Sequence, residues 1–205
     1  MAALTATGCG TRAARVSAPS SVAAAIAIDL GRSRPLGHGP AFRPAALGNP
    51  LVAAGAPVDG LRCGAAGARP YGVHIELFAH NRGIAVPAGI GIAEPQRRQG
   101  AVVTGGRCMY PVRTTEPTGV VEVDPLALSG IATVGQLFRL WGQPLSGRRL
   151  VGFTVGGGAG VVAFVDGRRW HRDPRAVPLR RHAQIVLELG AFVAPHPLYT
   201  FPPGL

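Results

Sequence analysis

The feature that most constrains the fold is a strand-like stretch near the middle of the chain, YGVHIELFAHNRGIAVPAGIGI, residues 71–92. Apolar side chains recur at every second position, and successive side chains of a strand point to opposite faces. The apolar face carries Val73, Ile75, Leu77 and Ala79. This pattern predicts a half-buried strand. The turn residues 81–83 and the apolar residues 84–86 then predict a hairpin, which Pro87 and the following glycines end.

The opposite face of this strand carries the most compact set of acid, base or metal-ligand side chains in the sequence: His74, Glu76 and His80. Neighbours on one face of a strand lie about 7 Å apart. His74 and Glu76 could form an acid and base pair, but no partnered nucleophile is recognisable beside them. We therefore predict no catalytic residues, no cofactor-binding residues and a protein that is not an enzyme.

The remaining pattern predicts an α+β fold. Thr133 and Gln136 have the spacing of a capping box, and the helix that follows carries an apolar stripe and ends at Gly142. Asp166 and Gly167 are typical of a two-residue turn between strands. Further strands are expected at 107–112, 120–124, 161–165 and 182–189. One mixed or mainly antiparallel sheet packed against a single helix, similar to β-grasp folds, accounts for this order.

Three regions are expected along the chain. Residues 1–58 hold five Arg, one acidic residue and long Ala, Gly, Pro and Ser tracts. This composition predicts a low-complexity leader that is disordered or processed. Residues 59–194 form the predicted globular α+β domain. Residues 195–205 form a Pro-rich C-terminal tail that cannot be a central strand.

The net charge of +11 comes from 21 basic residues that are all arginine. Such a composition is typical of a GC-rich genome. The arginine pairs are scattered and lack aromatic stacking platforms, so specific nucleic-acid binding is not expected. A basic module that binds anionic polymers or a lipid surface is one alternative. No apolar run approaches the roughly 18–20 residues that a membrane span requires, so we predict no transmembrane segment.

The chain has three cysteines, Cys9, Cys63 and Cys108. Cys9 follows Ala6-Thr7-Gly8 as a lipidated cysteine follows a bacterial lipoprotein signal, and lipidation would anchor the chain to a membrane. No apolar h-region precedes it, so a cytoplasmic location is expected if this start is real. In an oxidising compartment Cys63 and Cys108 would pair, which adds about 3–4 kcal/mol in the chain-entropy model. Two buried free thiols are the alternative.

Several segments carry a resemblance to a known family. In order over about residues 55–205 they read GAPVDGLRC, VHIELFAHNRGIAVPAGIGI, CMYPVRTTEPTGVVEVD, VGQLFRLWGQPLS, DPRAVPLRRHAQIVLELG and YTFPPGL. They resemble an uncharacterised family of bacterial exported or lipid-anchored proteins. Its members show an H-x-H-x-H strand before the PAGIGI segment, then H-T-H and G-x-x-H after the second cysteine. Those histidines imply a metal site on facing strands.

This chain keeps His74 of that pattern and departs from it at Pro70, Gly72, Arg113, Thr115 and Glu122. The remaining candidate ligands for Zn or Cu are His74, Glu76, Glu122 and His182. Loss of several imidazoles predicts weak binding. We therefore expect a non-enzymatic, extracytoplasmic and envelope-associated domain with a largely degenerate metal site and no cofactor. A metal-binding protein with a reduced His/Glu site, and the basic module, are the alternatives.

Overall fold

A computed structural model of the chain describes residues 40–67, 69–156, 160–190 and 198–205. Within these ranges, no helix has both the length and the apolar character needed to cross a lipid bilayer. Short 3₁₀ turns lie at Pro125–Ala127 and Pro174–Ala176. The helices and strands, in chain order, are α1 Pro50–Ala54, β1 Tyr71–Ala79, β2 Arg82–Ile84, β3 Arg97–Gln99, β4 Val102–Gly105, β5 Val112–Arg113, β6 Val120–Val123, α2 Val134–Trp141, β7 Leu145–Ser146, β8 Arg149–Leu150, β9 Phe153–Thr154, β10 Val161–Val165, β11 Arg168–Trp170 and β12 Gln184–Leu189.

One mixed sheet forms the centre of the protein. Its strand order is β11-β10-β12-β1-β6-β5, and β2 pairs with β1 as a hairpin. β1 runs parallel to β12 and antiparallel to β6. Two small antiparallel sheets, β3-β4 and β7-β8-β9, lie outside it. The predicted α+β class, with one mixed sheet and one main helix, is confirmed.

Helix α2 covers one face of the sheet and begins at the predicted capping box. The Thr133 hydroxyl accepts from the Gln136 N–H (3.4 Å), and the Gln136 side chain accepts from the Thr133 N–H (3.0 Å). The helix ends at Gly142, whose φ of 76° is in the left-handed region that glycine tolerates. Its buried residues belong to the same cluster as the apolar face of β1: Val134, Leu137, Phe138, Leu140 and Trp141.

Strand β1 is buried on both faces, which corrects the prediction of a half-buried strand. On the second face, His74 is 8% exposed and Phe78 is 5% exposed. Phe78 packs there with Val186 and Phe164, and the ring of Tyr199 lies over His74. The alternating pattern showed which side chains share a face, but it did not show that later parts of the chain cover the second one.

The two predicted turns form, one of them displaced along the chain. β1 and β2 are joined by His80 and Asn81, whose φ angles are 51° and 62°. Positive φ at both central residues matches the twist of paired strands. The turn is therefore formed by residues 80 and 81 rather than 81–83, and the return strand is Arg82–Ile84 rather than 84–86. The turn at Asp166 and Gly167 lies where it was predicted.

The domain begins earlier than residue 59. Val52 of α1 and Val58 are buried in the main core. The Asn49 side chain donates to the main-chain oxygen of Arg139 near the end of α2 (2.6 Å). The indole N–H of Trp141 donates to the Ala45 oxygen (3.3 Å). Residues 40–58 therefore supply partners for α2 and belong to the fold. The rest of the predicted leader, residues 1–39 with Cys9, lies outside the described residues.

The predicted disulfide between Cys63 and Cys108 is present, with the Cα atoms 5.5 Å apart and the two cysteines 45 positions apart in sequence. It lies beside a main-chain pairing, because Gly64 and Met109 exchange N–H to oxygen bonds of 2.9 and 2.8 Å. The disulfide and this pairing fasten the segment before β1 to the segment before β5.

We expect replacement of both Cys63 and Cys108 by serine to lower the free energy of unfolding by about 3–4 kcal/mol, because the cross-link restricts the unfolded chain. Urea denaturation followed by circular dichroism measures the loss. Adding a reductant should destabilise the wild-type chain by a similar amount and leave the double variant unchanged. A variant as stable as the oxidised wild type would contradict the prediction.

Candidate functional site

The second face of the sheet, opposite α2, carries polar side chains on four adjacent strands. The strand register places them together, because His74 pairs with Gln184, Phe78 with Glu188 and Arg113 with Glu122. Paired residues of neighbouring strands point to the same face. We call this the polar face, and define it by His74, Glu76, Arg113, Glu122, Gln184 and Glu188.

His74 lies buried in the middle of the polar face. Its ring stacks on the ring of Tyr199, with centroids 4.2 Å apart and an interplanar angle of 12°. Burial lowers its pKa from the ordinary value of 6.5; the Glu76 carboxylate and hydrogen bonds to the Thr118 main chain and the Gln184 side chain oppose the shift. Burial has the larger effect, so the imidazole is held in its neutral form.

Arg113 and Glu122 form an ion pair across β5 and β6. The guanidinium Nη2 lies 2.8 Å from Glu122 Oε2, and the side chains are 3% and 15% exposed. The Thr115 hydroxyl donates to the other carboxylate oxygen (2.5 Å). These three residues stand where the sequence departs from the histidine pattern of the family it resembles. They make one connected polar group.

His182 does not lie on a strand, contrary to the prediction of a strand over 182–189. It occupies the turn before β12 with a φ of 60°, and its N–H donates to the oxygen of Gly72 (2.8 Å). Its Nε2 donates to the main-chain oxygen of Leu205 (2.6 Å), since a carbonyl oxygen only accepts. Its ring stacks on Phe201 with centroids 4.7 Å apart.

The four predicted ligands, His74, Glu76, Glu122 and His182, are not gathered into a metal centre. Among the described residues, no group of three or more His, Cys, Asp or Glu side chains is placed to hold a metal ion. The Glu122 carboxylate already contacts the Arg113 guanidinium, whose positive charge opposes a cation beside it. The His182 ring nitrogen contacts Leu205. This donor set does not fit Zn or Cu.

Sequence reasoning missed the part that residues 198–205 play at this site. The Gln184 side chain donates to the main-chain oxygen of Tyr199 (3.0 Å) and accepts from the main-chain N–H of Tyr199 (3.2 Å). Tyr199 and Phe201 contact each other edge to face, with centroids 5.0 Å apart. A signal was available, because these two aromatic residues lie close together in a chain with 6% aromatic residues.

The arginine pairs lie on different structural elements. Arg97 and Arg98 are exposed on β3, and Arg168 and Arg169 are exposed on the edge strand β11. Arg181 lies in the turn before β12, with its guanidinium 5.1 Å from the centre of the Tyr71 ring. The positive charge is thus divided among separate parts of the fold.

Comparison of the chain with protein-family models, with curated proteins and with solved structures finds no match. The resemblance to exported bacterial proteins therefore stays a prediction. Any function proposed for this chain depends on its own residues and their contacts.

We expect the protein to lose stability as the pH falls below 6.5, because His74 has a lowered pKa in the folded state. The unfolded chain then takes up the proton first, so the contribution of neutral His74 is complete above 6.5 and declines through the folded pKa. Urea midpoints between pH 7.5 and 4.5 measure the effect. A His74→Gln variant should show a shallower decline over this range. Equal slopes in the two proteins would refute the assignment.

We expect Glu122→Gln to destabilise the fold by about 3–5 kcal/mol, because it leaves the Arg113 guanidinium buried without a countercharge. The double variant Arg113→Met, Glu122→Leu removes both charges and should lose less than the single variant. Thermal or urea unfolding of the two variants and the wild type provides the comparison. A double variant with a larger loss than Glu122→Gln would show that the ion pair is not the source of the effect.

Proposed function

We propose that this chain is a non-enzymatic, extracytoplasmic domain associated with a bacterial cell envelope. The disulfide between Cys63 and Cys108 is the observation that carries the proposal. Structural disulfides persist in oxidising compartments and are rare where thioredoxin and glutathione keep thiols reduced. The resemblance to exported or lipid-anchored proteins points to the same compartment, and lipid anchoring through Cys9 belongs to this proposal.

A structural role of the polar face supports the non-enzymatic part of the proposal. Glu122 bonds to Arg113 and Thr115, His182 bonds to Leu205, and the ring of His74 is covered by Tyr199. Catalysis requires a nucleophile or base that can reach a substrate. Side chains engaged in this way instead connect strands and hold residues 198–205 on the sheet. In this proposal, the polar face is the remnant of a degenerate metal site.

Thiol trapping in intact cells tests the proposed compartment. The chain is produced with its own N-terminus in a GC-rich bacterial host, and the cells are treated before lysis with N-ethylmaleimide, a small maleimide that crosses membranes. We expect Cys63 and Cys108 to stay unmodified until a reductant is added, because they are paired in an oxidising compartment.

Cys63→Ser is the matched control, since it leaves Cys108 free to react in any compartment. Cell fractionation should recover the wild-type chain with envelope or periplasmic markers. Modification of both cysteines in wild-type cells without reductant would contradict an extracytoplasmic location.

A further inference from the structure

Residues 198–205, LYTFPPGL, lie across the polar face and are held by side chains at the starts of β1 and β12. We call these residues the terminal segment. The side chains that hold it come from β1, β12 and the turn before β12. These side chains are His74, His182 and Gln184. Together with Gly72, whose missing side chain leaves room for Phe201, they form what we call the docking face.

The docking face recognises the main chain of the terminal segment. One amide side chain, Gln184, bonds to both the oxygen and the N–H of Tyr199, at 3.0 and 3.2 Å. Such a pair of bonds is the pattern that an added strand makes with a sheet edge. It selects extended backbone and is independent of the side chain at that position.

Two imidazole rings of the docking face select aromatic side chains at alternate positions. His74 stacks on Tyr199 at 4.2 Å and His182 stacks on Phe201 at 4.7 Å, with interplanar angles of 12° and 23°. Tyr199 and Phe201 lie two positions apart in the chain, and their ring centroids are 5.0 Å apart. The two imidazole rings thus contact an aromatic residue, pass over one position and contact a second aromatic residue.

Gly72 makes room for the second aromatic ring. A Cβ atom added at Gly72 would lie 2.7 Å from Cδ1 and 2.9 Å from Cε1 of Phe201, and 3.3 Å from Cβ of Leu205. All three of these nearest atoms belong to the terminal segment. A side chain at position 72 would therefore compete with the segment for space, while its nearest neighbours include no atom of the core.

The terminal segment contributes little to the apolar core. None of residues 198–205 is among the members of the main core cluster, and Leu198 is 76% exposed. Thr200, Pro202 and Pro203 are also exposed. The contacts that hold it are two ring stacks and a few hydrogen bonds to side chains. The segment is therefore bound as a peptide ligand is bound, and its release would leave the packing of β1 on α2 in place.

We propose that the docking face is a binding site for an extended peptide of a partner protein, with aromatic residues at two alternate positions, which the terminal segment occupies as a competing ligand. The partner is defined by this chemistry because the docking face contacts the seated segment at Tyr199 and Phe201, on either side of the exposed Thr200. The inference rests on the proposed non-enzymatic role and specifies how the domain would act. A tethered competitor has an effective concentration in the millimolar range, so a free peptide binds weakly until the segment is displaced.

The test measures binding of a fluorescein-labelled peptide, LYTFPPGL, to full-length proteins by fluorescence anisotropy. The wild type is compared with a Tyr199→Ala, Phe201→Ala double variant, in which the terminal segment loses both rings and the docking face is intact. We expect at least tenfold tighter binding to the double variant. The peptide LATAPPGL, which lacks both rings, should bind at least tenfold more weakly to that variant than LYTFPPGL does.

The matched control adds Gly72→Val to the double variant. The valine side chain fills the space of the second ring, so binding of LYTFPPGL should fall at least tenfold. The urea midpoint of this triple variant shows whether it is folded. If the valine lowers the midpoint, Gly72→Ala replaces Gly72→Val in the experiment. Three results would each overturn the proposal. They are equal affinity of the double variant for LYTFPPGL and LATAPPGL, no tighter binding of LYTFPPGL to the double variant than to the wild type, and no loss of affinity for LYTFPPGL on substitution of Gly72 in a folded protein. The binding measurements use purified protein and the thiol-trapping experiment uses cells. If Cys63 and Cys108 were found reduced in cells, the proposed compartment would be refuted, but the peptide-binding results would still stand.

Discussion

The fold depends on the pairing of β1 with β12 on one side and with β6 on the other. β12 is the last strand of the described chain, and it runs parallel to β1 over six residue pairs, from His74 to Ala79. Parallel neighbours need a long crossover. Here the crossover contains β2 to β11 and α2. The sheet is therefore completed by a contact between distant parts of the sequence, which is a slow kind of pairing to form.

Burial of β1 on both faces sets the conditions for every polar residue on its second face. A buried polar group costs free energy unless it has a partner. On this face Arg113 is paired with Glu122, and the His74 ring bonds to the Thr118 main chain and the Gln184 side chain. The side chains that suggest a metal site in the sequence thus serve as hydrogen-bond and ion-pair partners of buried polar groups. Burial also lowers the pKa of His74, so its ring is held in the neutral form.

The disulfide and the terminal segment each hold separate parts of the chain together. The disulfide joins the segment before β1 to the segment before β5. The terminal segment bonds to the turn before β12 through His182 and to β12 through Gln184. The two devices differ in strength, since one is covalent and the other consists of ring stacks and hydrogen bonds.

Local signals in the sequence determined the local structure. The capping box of Thr133 and Gln136, the glycine that ends α2 and the turn at Asp166 and Gly167 all follow from residues a few positions apart. The alternation in β1 likewise assigned each side chain to a face. The sequence also offered the pairing of Cys63 with Cys108, but left two free thiols as the alternative.

Only the tertiary structure decided what covers each face and which polar groups meet. Glu122 became the partner of Arg113 because β5 and β6 pair in that register. His182 left the predicted strand because the chain turns before β12 and bonds back to Gly72. Residues 40–58 and 198–205 joined the domain through contacts with α2 and with β1 and β12. These contacts link residues far apart in the chain, so no periodicity or spacing within a short window encodes them.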